Sequence, residues 1–96
     1  MSVAQTTLSV AIPSLLAHVT NGDREIQVSG TTLAACLEDL FHQFPVMRGH
    51  MFEDDGNLRR HVLILYGDQS TRWLKTLDIP VESGGTITIL QAVSGG

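Results

Sequence analysis

The sequence predicts an α+β domain in which one main helix lies across one face of a mixed β-sheet. Segments near both ends of the chain alternate apolar and polar residues, and an apolar stripe at helical spacing lies between them. The predicted order is strand, strand, helix, strand, short strand, strand. With 96 residues the chain can bury one core, so we expect a single domain over 1–96, with 91–96 as an extended C-terminal tail.

The composition is that of an ordinary globular protein, 43% hydrophobic and 17% charged. The longest apolar run, 62–66, is far shorter than the roughly 20 residues that span a bilayer. The net charge is −4 and the only adjacent basic pair is Arg59-Arg60, which argues against nucleic-acid binding. The N-terminus lacks the features of a signal peptide, and the single cysteine, Cys36, fits the reducing cytosol. We therefore expect a cytoplasmic protein with no nucleic-acid or membrane partner.

The first 30 residues predict two strands. Residues 7–12 alternate in polarity and end at Pro13, which cannot continue the ladder. Asn-Gly-Asp at 21–23 indicates a turn, and alternation resumes over 26–30. The two strands are thus joined by a wide connection.

A helix follows, because apolar residues recur at the three- and four-residue spacing of an amphipathic helix. Thr31 or Thr32 can cap its N-terminus with a hydroxyl group, and Pro45 stops it. The residues of the stripe are Leu33, Cys36, Leu37, Leu40, Phe41 and Phe44.

The second half of the chain predicts mainly strands and loops. Its elements, in order, are a long loop with or without one helical turn (46–60), a strand (61–66), a turn (67–68), a short strand (71–74), a loop (80–85) and a strand (86–90).

The strand over 61–66 is apolar on both faces. If its even-numbered residues face the helix, Leu63 and Leu65 face outward, and Leu90 of the last strand has the parity to join them. An exposed apolar cluster usually marks a partner surface. Ordinary packing under a loop is the alternative, and Trp73 could belong to the core or to a partner surface.

The chain offers little for catalysis. No pair of histidines has metal-ligand spacing, Asp54-Asp55-Gly56 lacks the full calcium-loop pattern, and Cys36 lies on the apolar helical stripe as a small hydrophobic residue would. We expect no bound metal or cofactor and no enzyme activity. The histidines are His18, His42, His50 and His61.

The C-terminus ends in Gly95-Gly96. Because glycine has no side chain, such a tail can enter a narrow channel and present its carboxylate to a remote reactive centre. A carboxylate must be activated before a nucleophile can displace a leaving group from it.

The element order and this ending resemble the ubiquitin-like β-grasp proteins, and among them the small sulfur carriers of molybdopterin, thiamine and cysteine biosynthesis. The cysteine-biosynthesis type is the most similar. The segments that support the resemblance are 10–16 (VAIPSLL), 30–33 (GTTL) and 88–96 (TILQAVSGG).

The resemblance implies that an E1-like adenylating and sulfurtransferase enzyme, using ATP and Mg, adenylates the Gly96 carboxylate. A sulfur donor then displaces AMP and leaves a thiocarboxylate on Gly96, from which a downstream synthase takes the sulfur. The protein is a co-substrate, and its contacts with the activating enzyme would involve the tail, comprising Gln91, Ala92, Val93, Ser94, Gly95 and Gly96.

Some features depart from the family pattern and leave the pathway open. Proline is common where Gln91 stands, Asp-Gly where Gly84-Gly85 stands, and Asn-Gly where Gly67-Asp68 stands. Some relatives carry extra residues that a metalloprotease removes, whereas this sequence already ends in Gly-Gly. A ubiquitin-like modifier joined to lysines through Gly96, and a binding module with an incidental Gly-Gly, are the alternatives.

Overall fold

The computed structural model describes residues 6–74 and 76–91, with the backbone alone at Trp73. Five strands form one sheet and two α-helices pack with it. The elements are β1 (Thr7–Ala11), a 3₁₀ helix (Ser14–Thr20), β2 (Glu25–Ser29), α1 (Leu33–Gln43), α2 (Val46–Met51), β3 (Val62–Tyr66), β4 (Gln69–Ser70), a 3₁₀ turn (Thr71–Trp73) and β5 (Thr86–Gln91).

The sheet has the strand order β2-β1-β5-β3-β4. Strands β1 and β5 run parallel and every other neighbouring pair is antiparallel, which confirms the predicted mixed sheet. The last strand of the chain therefore lies in the middle of the sheet, between the first and the third. Strand β5 therefore ends, at Gln91, in the middle of the sheet.

The predicted helix is confirmed as α1. The Thr32 side chain accepts a hydrogen bond from the Ala35 N–H at 3.1 Å, so Thr32 is the cap. The helix ends at Gln43, two residues before Pro45. Its apolar stripe is buried in the same core as the even-numbered residues of β1, β2 and β3 and the odd-numbered residues of β5, and Phe44 packs at the margin of this core. The buried residues of α1 are Leu33, Cys36, Leu37, Leu40 and Phe41.

The wide connection after β1 contains a 3₁₀ helix over Ser14–Thr20, which the sequence did not predict. It buries Leu16 and Thr20. The hydroxyl group of Thr20 donates to the Asp23 carbonyl at 2.6 Å, and Asn21 adopts a left-handed conformation with φ 57°. These contacts with the predicted 21–23 turn end the helix.

The segment predicted as a long loop with or without one helical turn, 46–60, begins with α2 over Val46–Met51, a six-residue helix that is longer than the single turn allowed for. Pro45 ends one helix and stands immediately before the next, a position at which its fixed φ is tolerated. Met47 and Met51, four residues apart, are fully buried. Two apolar residues are too few to reveal helical periodicity in the sequence.

The predicted short strand over 71–74 is also wrong. The strand is Gln69–Ser70, and Thr71–Trp73 forms a 3₁₀ turn. The buried Thr71 hydroxyl donates to the Ile64 carbonyl at 2.8 Å, while the Ser70 hydroxyl accepts from the Arg72 N–H at 3.1 Å. These two bonds turn the chain where the sequence predicted a short strand.

Gly30 is required by close packing between β2 and α1. A Cβ atom at Gly30 would lie 2.8 Å from the Cys36 backbone nitrogen and 2.9 Å from the Ala35 Cβ. We expect Gly30→Ala to lower the free energy of unfolding by about 1–3 kcal/mol, since the helix must shift. Urea denaturation measures this change.

Gly49 provides the matched control, because it lies within α2 and a Cβ there meets nothing within 4 Å. Gly49→Ala should raise the free energy of unfolding by about 0.5–1 kcal/mol through helix propensity. If both substitutions change the free energy of unfolding equally, the close approach of α1 to Gly30 is contradicted.

Candidate functional site

The candidate site begins where β5 ends. Strand β5 is paired on both sides, with Ser9 opposite Thr86 in β1 and with Val62 opposite Gln91 in β3. Gln91 is thus fixed by the sheet at the point where the predicted tail starts. The remaining predicted tail residues, 92–96, including Gly96, lie outside the described residues.

The loop that precedes β5 is also fixed. The Tyr66 hydroxyl accepts a hydrogen bond from the Glu82 N–H at 2.8 Å, and Gly85 N–H donates to the Glu82 carbonyl at 3.1 Å. A Cβ at Gly85 would lie 3.2 Å from the Tyr66 ring, so the chain passes close to that side chain. Both ends of β5 are therefore held, which gives the tail a rigid base.

The three outward-facing leucines lie on the same face of the sheet, as their parity predicts. Leu63 of β3 is directly opposite Leu90 of β5, and Leu65 is opposite Thr88. Leu90 is 43% exposed, and Leu63 and Leu65 are half-buried. We call Leu63, Leu65 and Leu90 the apolar patch. Its role as a partner surface stays a prediction.

The remainder of this face is polar. On the β1–β2 side, the Gln27 amide donates to the Ser9 hydroxyl at 2.8 Å, and Thr86 and Thr88 line the start of β5. The apolar patch is therefore confined to β3 and the end of β5.

The side-chain amide oxygen of Gln91 lacks a hydrogen-bond donor among the described residues. This atom, Oε1, is buried. An unsatisfied buried acceptor costs about 1–3 kcal/mol. Gln91 is the one predicted tail-contact residue that the structure places, and it lies beside the apolar patch.

Three arginines border the same region, and the sequence gives no sign that they lie together. Arg24, Arg60 and Arg72 line a groove together with Leu63 and Leu90. They come from three separate segments, and only the sheet topology brings them together. The adjacent pair Arg59-Arg60 was the only basic feature visible along the chain.

The other candidate residues do not form a reactive site. His18 and His50 meet edge to face with ring centroids 5.8 Å apart, but the described residues contain no group of three metal-binding side chains. Cys36 is fully buried; burial, and secondarily the charge of Asp39, raise the pKa of its thiol. A buried, protonated thiol is a poor nucleophile. Among the described helices, none is long and apolar enough to cross a membrane.

Residues 12–96 match the model of the ThiS family. The chain belongs to the ThiS family. This ThiS-family chain is 32% identical over 91 residues to the sulfur carrier protein CysO of Mycobacterium tuberculosis, an alignment that covers 93% of this chain and 98% of that relative. The resemblance drawn from the sequence is confirmed.

Two solved structures are similar to the ThiS-family chain throughout. A chain in the crystal structure of the Amycolatopsis orientalis BexX/CysO complex has a TM-score of 0.81 at 27% identity, covering 93% of this chain and 99% of that one. The crystal structure of SAMP1 from Haloferax volcanii has a TM-score of 0.78 at 25% identity, covering 94% and 99%. The β-grasp fold predicted for the ThiS-family chain is thereby confirmed.

Proposed function

We propose that the protein is a sulfur carrier whose Gly96 carboxylate is adenylated by an E1-like enzyme and then converted to a thiocarboxylate. The observation that carries the proposal is the similarity, over 93% of the chain, to a relative named sulfur carrier protein CysO. The sequence Gly95-Gly96, four and five residues beyond the fixed end of β5, supplies the group to be activated.

The chemistry proceeds in two displacements. A Gly96 carboxylate oxygen attacks the α-phosphorus of Mg-bound ATP, a P–O bond forms, and pyrophosphate leaves. A sulfide equivalent from the sulfur donor then attacks the carbonyl carbon, a C–S bond forms, and AMP leaves with the carboxyl oxygen. The downstream synthase joins this sulfur to its acceptor, and water then cleaves the C–S bond and supplies the oxygen that regenerates the carboxylate. The activating enzyme supplies the catalytic groups, so the carrier acts as a co-substrate.

The geometry of β5 limits where the activating enzyme must bind. Residues 92–96 are five residues, which reach at most ~18 Å when fully extended. The reacting carbon of Gly96 therefore lies within that distance of Gln91. The apolar patch beside Gln91 is then close enough to touch the enzyme that holds the tail.

The partner and pathway assignments extend this proposal. The BexX/CysO complex supports binding of a second protein by this fold. Cysteine or a related sulfur amino acid is the first candidate for the sulfur-containing product, followed by a sulfur-containing secondary metabolite and by molybdopterin. The downstream synthase, any trimming metalloprotease and the cytoplasmic location remain predictions.

A second candidate function is protein modification through Gly96. It is favoured by the similarity to SAMP1, a small archaeal modifier protein. Both functions begin with adenylation, so they differ only in the nucleophile that displaces AMP. A modifier forms an amide with a lysine of another protein, whereas a carrier forms a thiocarboxylate.

The proposed function is tested by measuring AMP formation. The full chain is incubated with the E1-like enzyme of the same organism and Mg-ATP, with and without sodium sulfide. We expect AMP to be formed in proportion to carrier only when sulfide is present. If the same amount of AMP forms with and without sulfide, and lysine adducts are found in cells, the modifier function is favoured.

The apolar patch gives a separate prediction. Leu90→Asp should raise the carrier concentration that half-saturates the activating enzyme about tenfold, or about 1.4 kcal/mol, because an apolar anchor is replaced by a charge. Steady-state pyrophosphate release measures this change.

Thr86→Asp is the matched control, since Thr86 is exposed on the same face of the same strand, four residues away. It introduces the same charge and the same unfavourable strand residue, yet lies at the far end of β5 from Gln91. If the two variants half-saturate the activating enzyme at the same concentration, the apolar patch is not the surface that contacts this enzyme.

A further inference from the structure

Positive charge is concentrated at one place on an otherwise acidic protein. The chain has six basic and ten acidic residues. Three of the basic residues, Arg24, Arg60 and Arg72, line a groove of about 510 Å³ beside the end of β5. No acidic side chain of the described residues lines it. We call this feature the arginine groove.

The charges of the arginine groove are available to a partner. All three arginines are exposed, and the ion pair found within residues 6–74 and 76–91 joins Arg48 to Glu38 elsewhere. Arg24 donates through Nε to the Ile12 carbonyl and forms no ion pair with a carboxylate among the described residues. In the described structure, the guanidinium groups of Arg60 and Arg72 have no hydrogen-bond or ion-pair partner.

The arginine groove also includes part of the apolar patch. Leu63 and Leu90, which face each other across β3 and β5, line it together with Gln91. An apolar centre with a charged rim is the usual anatomy of a protein–protein interface. A ligand that consists of phosphate groups would make no apolar contact with Leu63 and Leu90. The net charge of −4 also opposes the approach of a polyanion.

We infer that the arginine groove docks an acidic surface of the activating enzyme, whose carboxylates face Arg60 and Arg72 while apolar side chains cover Leu63 and Leu90. This inference rests on the proposed function. Arginine suits the role because its planar guanidinium group can donate two parallel hydrogen bonds to one carboxylate. Charge on the rim accelerates and orients the encounter, and the apolar contacts retain the carrier.

The test compares association rates of two variants with equal net charge. Arg60→Gln/Arg72→Gln removes two positive charges from the groove. Arg48→Gln/His42→Glu changes the net charge by the same amount on the helical side, where both residues are exposed. Binding of each full-length chain to the E1-like enzyme is followed by stopped flow at low and at physiological salt.

We expect the groove variant to associate about tenfold more slowly at low salt, with a much weaker salt dependence. Its rate of pyrophosphate release at saturating concentration should equal that of the wild type, and the helical-side variant should associate as the wild type does. Equal association rates for the two variants would overturn the inference.

Two further outcomes separate the inference from its alternatives. If the groove variant loses only self-association in sedimentation, the groove binds a second copy of the chain, whose acidic loop 53–55 is the complement, and the inference is overturned. Failure of the wild-type chain to release pyrophosphate with an active enzyme would instead contradict the proposed function, independently of the groove.

Discussion

Removing Gly95 and Gly96 is expected to abolish pyrophosphate exchange completely while leaving the fold intact. The activated group is the terminal carboxylate, and a chain that ends two residues earlier cannot place a carboxylate at the same distance from Gln91. Every core residue that the structure describes precedes Gln91, so the truncation removes none of them. Exchange of labelled pyrophosphate into ATP by the E1-like enzyme provides the readout.

The control for this truncation is Gly95→Ala/Gly96→Ala, which keeps the length but adds two methyl groups. If activation requires a narrow channel, this variant should also lose most exchange activity, whereas full activity would show that only length matters. An unchanged circular dichroism spectrum and urea midpoint are required of both variants. Exchange activity in the truncated chain would contradict the assignment of Gly96 as the reacting residue.

Ile89→Ala is expected to lower the free energy of unfolding by about 2–5 kcal/mol, a large part of the total for a domain of this size. Ile89 is 1% exposed, pairs with Ile64 in the centre of the sheet and belongs to the same buried core as the apolar residues of α1. Truncation leaves a cavity that the surrounding residues cannot fill. Urea denaturation followed by circular dichroism measures the change.

The neighbouring Leu90 supplies the matched comparison, because it points to the opposite face and is 43% exposed. Leu90→Ala should lower the free energy of unfolding by less than about 1 kcal/mol. If the two variants lose similar free energies of unfolding, the assignment of Ile89 to the buried face of β5 and of Leu90 to the opposite face is incorrect. The same Leu90→Ala protein should still bind the activating enzyme less tightly.

The parts of the fold that the sequence predicted are those with strong periodicity. The apolar stripe from Leu33 to Phe41 specifies α1, and strict alternation specifies β5. Parity likewise predicts that Leu63 and Leu90 share one face, because successive side chains of a strand point to opposite faces, and the pairing of Leu63 with Leu90 confirms it.

The elements that were missed depend on tertiary contacts. Helix α2 has only Met47 and Met51 as buried anchors, and the 3₁₀ turn at 71–73 depends on a hydroxyl bond to Ile64. Neither contact can be inferred from local sequence. The same holds for the arginine groove, because Arg24 and Arg72 become neighbours only through the strand order.

Intact-protein mass spectrometry of the full chain tests the central claim most directly. The untagged protein is expressed with its E1-like enzyme and purified after incubation with Mg-ATP and sulfide. We predict a mass gain equal to one sulfur atom replacing one oxygen atom, absent from the chain that lacks Gly95 and Gly96. An unchanged mass, in the presence of an enzyme shown to form AMP with another carrier, would contradict the assignment of this protein as a sulfur carrier.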